Sequence, residues 1–169
     1  MKPLEIINEI KAGLLNTPVY ICSYREFQNI LLRKGLNTEG LYSGDKGCYY
    51  KTSTMFLSQN IIFINKRNPD YIKIAIFFHE YQHYLCDINF KDFNEEYEEE
   101  EDALRAQLKQ CIAYSLYRSL EWSIKYINDL SHNYNSECIN HRKASCSIIK
   151  SKLWKKCNKF LKEIKKNDL

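Results

Sequence analysis

At 169 residues and 44% hydrophobic content, the chain has room for one ordinary domain with a substantial core. Its net charge is only +4, but eight carboxylates stand against one lysine from Lys91 to Asp102, and ten Lys or Arg against two acids over 141–169. No stretch is long and apolar enough to cross a bilayer, the opening MKPLEIINEIKAGLL lacks the apolar core of a secretory signal, and seven cysteines without a CxxC pair argue against a disulfide framework or a zinc ribbon. A cytoplasmic protein with free thiols is the expectation.

Leu4, Ile7, Ile10 and Leu14 recur at helical spacing and predict a helix over 3–15, stopped by Thr17 and Pro18. Val19–Cys22 reads as a short strand, and Tyr24 to Lys34 as a second helix closed by Gly35. From Gly40 to Ile64 the pattern turns to β: Gly40, Gly44 and Gly47 mark turns, while Tyr49-Tyr50, Thr52 to Phe56 and Ile61 to Ile64 suit the strands of a small antiparallel or mixed sheet. Asn68-Pro69-Asp70 supplies a cap and a proline at the first helical position, opening a helix that runs through Cys86. Helical periodicity continues from Glu96 to Leu130, breaks over Asn133 to Asn140, and resumes in one or two basic amphipathic helices. The predicted fold class is α+β: helices and sheet over 1–66, a central helix and its successor over 67–130, and a basic helical segment over 141–169.

His79-Glu80-Tyr81-Gln82-His83 is an HExxH sequence inside the predicted central helix. Two histidines four residues apart stand one above the other on one helical face, so both rings can reach a single ion at about 2.0–2.1 Å. Glu80, one residue from the first ligand, points beside the metal and suits a general base that takes a proton from a zinc-bound water and passes it to a leaving amine. Apolar residues before His79 and uncharged ones at 81, 82 and 84 place the motif on a buried helix rather than on a charged surface. A chance stacking on an amphipathic helix is the competing explanation, and the flanks disfavour it.

A catalytic zinc needs a third protein ligand and one open position. The carboxylates at 95, 96 and 98–102, with His132 and His141, are the candidates. Glu98 is the choice on spacing, because Asp102 lies one turn later on the same face and could accept the second ring N–H of a ligand histidine. Most of the acidic run is expected to be a solvated helix start favoured by the helix dipole.

The HExxH segment, preceded by strands and followed by Glu98 to Asp102, Leu104, Ala106 and Leu108, resembles the ImmA/IrrE-type zinc peptidases and more broadly the gluzincins. The resemblance covers residues 40–115; Gln82, Glu101 and Arg105 depart from the family's usual glycine and alanines. It implies a zincin-like fold, a zinc metallopeptidase of bacterial, phage or mobile-element origin, and a helix-turn-helix repressor as substrate. In a zincin an edge strand pairs with the extended substrate, a role for which Tyr49 to Ser53 or Ile61 to Asn65 are the candidates here. Thirteen tyrosines, Tyr49, Tyr50 and Tyr97 among them, are too many to single out an oxyanion donor.

His132, Cys138, His141 and Cys146 could form a second metal cluster, although their spacing matches no zinc-finger pattern, and a polar loop is the preferred reading. The C-terminal lysines surround an apolar stripe containing Trp154 and Phe160, as on a helix docked to its own domain; an anionic partner, nucleic acid or acidic protein, is the alternative, and a membrane surface the least favoured. Two other functions stay open beside the peptidase: a non-catalytic zinc-binding regulatory protein on a zincin scaffold, against which Glu80 argues, and a helical interaction protein without metal.

Overall fold

A computed structural model of the chain describes residues 2–14, 17–39, 46–53 and 58–167. Among them are seven α-helices and one three-stranded mixed sheet, an α+β architecture in which helix predominates. The chain divides into two compact units, Met1–Tyr84 and Leu85–Leu169. No helix among the described residues is long and apolar enough to cross a membrane.

In the first unit, α1 (Pro3–Ala12) opens on a proline, and its first turn is closed by the Glu5 carboxylate accepting from Lys2 N at 2.8 Å. It buries Ile6 and Ile7 and ends at Gly13; Leu15, the expected terminus, lies outside the described residues. Strand β1 (Val19–Cys22) leads into α2 (Tyr24–Arg33) through a capping box, in which Ser23 Oγ accepts from Glu26 N at 3.3 Å and the Glu26 carboxylate accepts from Ser23 N at 2.7 Å. Gly35, at φ 70°, stops α2 by turning Leu36 N–H back onto Leu31 O, a closure that only a residue tolerant of the left-handed region makes without strain.

The sheet has the order β1-β3-β2. Strand β3 (Ser58–Asn65) is central, parallel to β1 in the register Val19↔Ile62 and antiparallel to β2 (Gly47–Ser53) in the register Gly47↔Ile64. Ile61, Ile62, Phe63 and Ile64 are all buried, the unbroken apolar run of a strand covered on both faces. The parallel β1–β3 pairing makes the sheet mixed rather than purely antiparallel. Gly40, Gly44 and Thr54 to Phe56 lie outside the described residues.

Helix α2 covers one face of the sheet: Phe27 and Leu31 pack with Ile61, Phe63 and Leu36, and the Phe27 and Phe63 rings stack at 4.4 Å. Removing a ring of this kind costs about 3–5 kcal/mol. Alternation along the strands sends Ile62, Ile64, Gly47 and Tyr49 to the opposite face, where helix α3 (Asp70–Ile88) lies. Pro69 stands at the cap of α3, one position earlier than expected, its carbonyl accepting from Ile72 N and Lys73 N. The five residues Ile74 to Phe78 are all buried, so the middle of α3 is apolar on every side.

The second unit is helical. Helices α4 (Glu96–Ala113), α5 (Tyr117–Ser131), α6 (Ile139–Ile149) and α7 (Lys152–Asn167) enclose Leu104, Leu108, Cys111, Leu120, Ile127, Ala144, Ile148 and Cys157, with α4 packed against the other three. The uninterrupted helical run expected from Glu96 to Leu130 is broken after Ala113. Ser115 adopts φ 53° and Leu116 N–H returns to Cys111 O at 2.8 Å, a left-handed closure made without glycine. The reversal folds α5 back on α4, and a buried hydrogen bond from Gln107 to Ser123 Oγ at 2.7 Å ties them together. The polar break after α5 contains one turn of 3-10 helix, Ser136–Cys138. Ser151 separates α6 from α7 and accepts from Trp154 N.

Candidate metal centre

Helix α3 carries His79, Glu80 and His83 in its third and fourth turns, directly after its buried middle. Packing fixes the rotation of the helix: Tyr81 stacks on Phe77 at 5.7 Å and on Tyr84 at 5.9 Å, and Tyr84 meets Tyr49 of β2 edge-on at 6.4 Å. Of these rings, Tyr84, beside His83, is the one that meets the sheet. The uncharged positions 81 and 84 are thereby explained as packing rather than chemistry.

The two imidazoles converge, with His79 Nε2 and His83 Nε2 3.2 Å apart, ring centroids 4.9 Å apart and ring planes at 73°. Two nitrogens bound at 2.0–2.1 Å to one tetrahedral ion would be separated by about 3.3–3.4 Å. The observed spacing therefore suits a shared cation, and the same approach lets one ring donate to the other when none is held. Potential ligand atoms of His79, Glu80 and His83 all lie within 4.8 Å of one another, so the group could hold a metal ion. Both histidines are half-buried, while His79 Nδ1 is shielded from solvent. Glu80 is 9% exposed, and no hydrogen bond or ion pair engages its carboxylate among the described residues.

Of the two candidate strands for peptide pairing, β2 is at an edge of the sheet and β3 is its centre. Tyr49 of β2 touches Tyr84, next to His83, while Gly47 lies against Ile76, three residues before His79. The edge strand thus runs alongside the segment of α3 that carries the motif. Gly47, expected from the sequence to mark a turn, is instead the first residue of β2, where the lack of a Cβ permits this close backbone approach.

Glu98 and Asp102 belong to the second unit, on the first two turns of α4. Glu98 Oε2 accepts from Asn94 N at 2.9 Å and from Glu95 N at 3.4 Å, closing the start of its own helix. Asp102 accepts from Lys91 Nζ at 2.9 Å and from the Cys86 thiol at 3.4 Å. That hydrogen bond is the first cause holding the Lys91 ammonium above its usual range. Other members of the acidic run are engaged likewise: Glu96 with Asn140, Glu100 with His141 and Glu101 with Arg105.

His132, Cys138, His141 and Cys146 do not form a ligand group among the described residues. His132 Nδ1 lies 2.8 Å from Asn128 O, capping α5, and the Cys146 thiol donates to Ser131 O. None of the seven cysteines is in a disulfide. Of the tyrosines considered, Tyr50 donates to Asn37 O and the Tyr97 ring lies under Lys143. No protein-family model, curated protein or solved structure matches the chain.

Proposed function

We propose that the chain is a zinc metallopeptidase of the gluzincin type, resembling the ImmA/IrrE proteins on a zincin-like fold, that hydrolyses a peptide bond in a protein substrate. The observation that carries this reading is the 3.2 Å approach of the His79 and His83 Nε2 atoms beside a buried Glu80. His79 and His83 would hold the ion, with Glu98 as the proposed third ligand and Asp102 as the proposed support of a ligand ring. Zinc, when held there, acts as a Lewis acid on water and on the scissile carbonyl.

The residues of the chain supply the rest. Glu80 takes a proton from the attacking water and returns it to the leaving amine, a task for which its place one residue from His79 suits it. Strand β2 offers edge hydrogen-bonding groups to an extended peptide and lies alongside the motif helix. A helix-turn-helix repressor is the substrate that the resemblance implies, and seven cysteines outside any disulfide suit a cytoplasmic location.

Metal analysis of the purified protein tests the site: the wild type and Glu80→Gln should each carry about one zinc per chain, and His79→Ala and His83→Ala should not. Cleavage of a mixed peptide library should follow the wild type and disappear in Glu80→Gln. Equal cleavage by both would remove Glu80 as the base. Zinc binding without cleavage in either would favour the non-catalytic zinc-binding regulatory protein.

A further inference from the structure

We propose that the lysine face of α7 binds the phosphate backbone of double-stranded nucleic acid, independently of sequence. This inference does not rest on the metal reading. At 100° per residue, Lys152, Lys155, Lys156, Lys159 and Lys162 fall within an arc of about 120° along about 15 Å of helix. All five are exposed. Glu163 is the one acid in that arc, and it pairs loosely with Lys159 at 3.7 Å. Lys152, Lys155, Lys156 and Lys162 make no ion pair among the described residues, whereas Lys165, outside the arc, is held by Glu121 at 2.8 Å.

The opposite side of α7 decides what kind of polyanion fits. Cys157 and Leu161 are buried, and Leu153, Trp154, Phe160 and Ile164 are half-buried against the bundle. With its apolar face consumed by its own fold, α7 has nothing to sink into a bilayer, which an interfacial helix requires. The lysine arc also lacks the aromatic or arginine anchor around which protein interfaces form, and lysine is depleted at such interfaces. A row of mobile point charges instead suits phosphates: about 15 Å of duplex presents roughly nine of them. Contacts to phosphates position a protein on the duplex without selecting a sequence.

The test is fluorescence anisotropy of the full chain with a labelled 20-base-pair duplex of mixed sequence. With four to five phosphates neutralised, affinity should fall about 150- to 500-fold between 50 and 200 mM salt. The Lys155→Gln/Lys156→Gln/Lys159→Gln variant should bind more weakly at 50 mM salt, with a log–log salt slope shallower by about 2 to 3 units. The Lys152→Gln/Lys162→Gln variant, altered at the ends of the arc, should lose about 2 units, and arginine at all five positions should retain both affinity and slope. Circular dichroism checks that helix content is kept. Absence of saturable binding at 50 mM salt, a slope flatter than about −1, or unchanged binding by both glutamine variants would overturn the proposal. Equal affinity for polyglutamate or for phosphatidylserine vesicles would also overturn it, in favour of an acidic protein or a membrane surface.

Discussion

Gly47 of β2 and Ile76 of α3 approach so closely that a Cβ on Gly47 would stand 2.5 Å from Ile76 Cγ2 and 2.7 Å from Phe63 O. One obstacle is a side chain and the other is backbone, so shortening Ile76 alone cannot make room. Gly47→Ala should therefore destabilise the first unit by about 1–3 kcal/mol, the usual cost of overpacking. Because Ile76 lies one turn before His79, the same change should lower zinc retention. Urea denaturation and metal analysis of Gly47→Ala, alone and with Ile76→Ala, check both effects; wild-type stability in the single variant would refute the close contact.

Glu26 supplies a pH-dependent element in the first unit. A hydrogen bond from Lys66 Nζ, then those from Ser23, push its carboxyl from the ordinary 4.5 down to about 2. Since the folded value lies below the unfolded one, this contribution is complete above pH 4.5 and is lost as pH falls toward 2. Glu26→Gln keeps a capping side chain but removes the charge, so the fall in urea midpoint over that window should be smaller than in the wild type. An NMR titration placing Glu26 near 4.5 would contradict the contacts described.

Local signals made much of this architecture legible. Gly35 and Pro69 are stop and start residues whose chemistry acts within one turn; α2 ends where Gly35 predicts, and α3 begins within one residue of the start that Pro69 predicts. The parallel β1–β3 pairing was less legible because register joins residues far apart in sequence, although the four consecutive apolar residues Ile61 to Ile64 are the run expected of a strand covered on both faces. The reversal at Ser115 lacked a glycine to announce it. His79, Glu80 and His83 were readable because one helical turn determines their mutual placement. The candidate third ligand was not, since five consecutive acids from Glu98 to Asp102 sample every face of a helix.

Thiol reactivity should divide the cysteines by burial. Burial is the first cause raising Cys111 to about 12 and Cys157 to about 11, and both side chains are 0% exposed. The thiolate is the nucleophile, so neither should alkylate in the native protein at about pH 8. Half-buried Cys138 should label without unfolding. Mass spectrometry after timed iodoacetamide treatment reads each site, and labelling of Cys111 or Cys157 would report opening of the α4–α7 bundle. Rapid labelling of Cys111 in the folded chain would be inconsistent with the packing.

Glu98 has a structural use and a proposed chemical one, and two substitutions separate them. Glu98→Ala removes the acceptor that closes α4 at Asn94 N and Glu95 N, and should cost about 1 kcal/mol of stability through the lost cap. Glu98→Gln retains a capping oxygen, so its stability should stay within about 0.5 kcal/mol of wild type. A neutral amide is a far poorer zinc ligand than a carboxylate. If Glu98 completes the metal site, Glu98→Gln should lose zinc affinity and cleavage while melting normally. Asp102→Asn gives the comparison: it weakens the pair with Lys91, which is 45% exposed, and should cost under about 1 kcal/mol. Full zinc content and full activity in Glu98→Gln would assign the third ligand elsewhere and leave Glu98 as a helix cap alone.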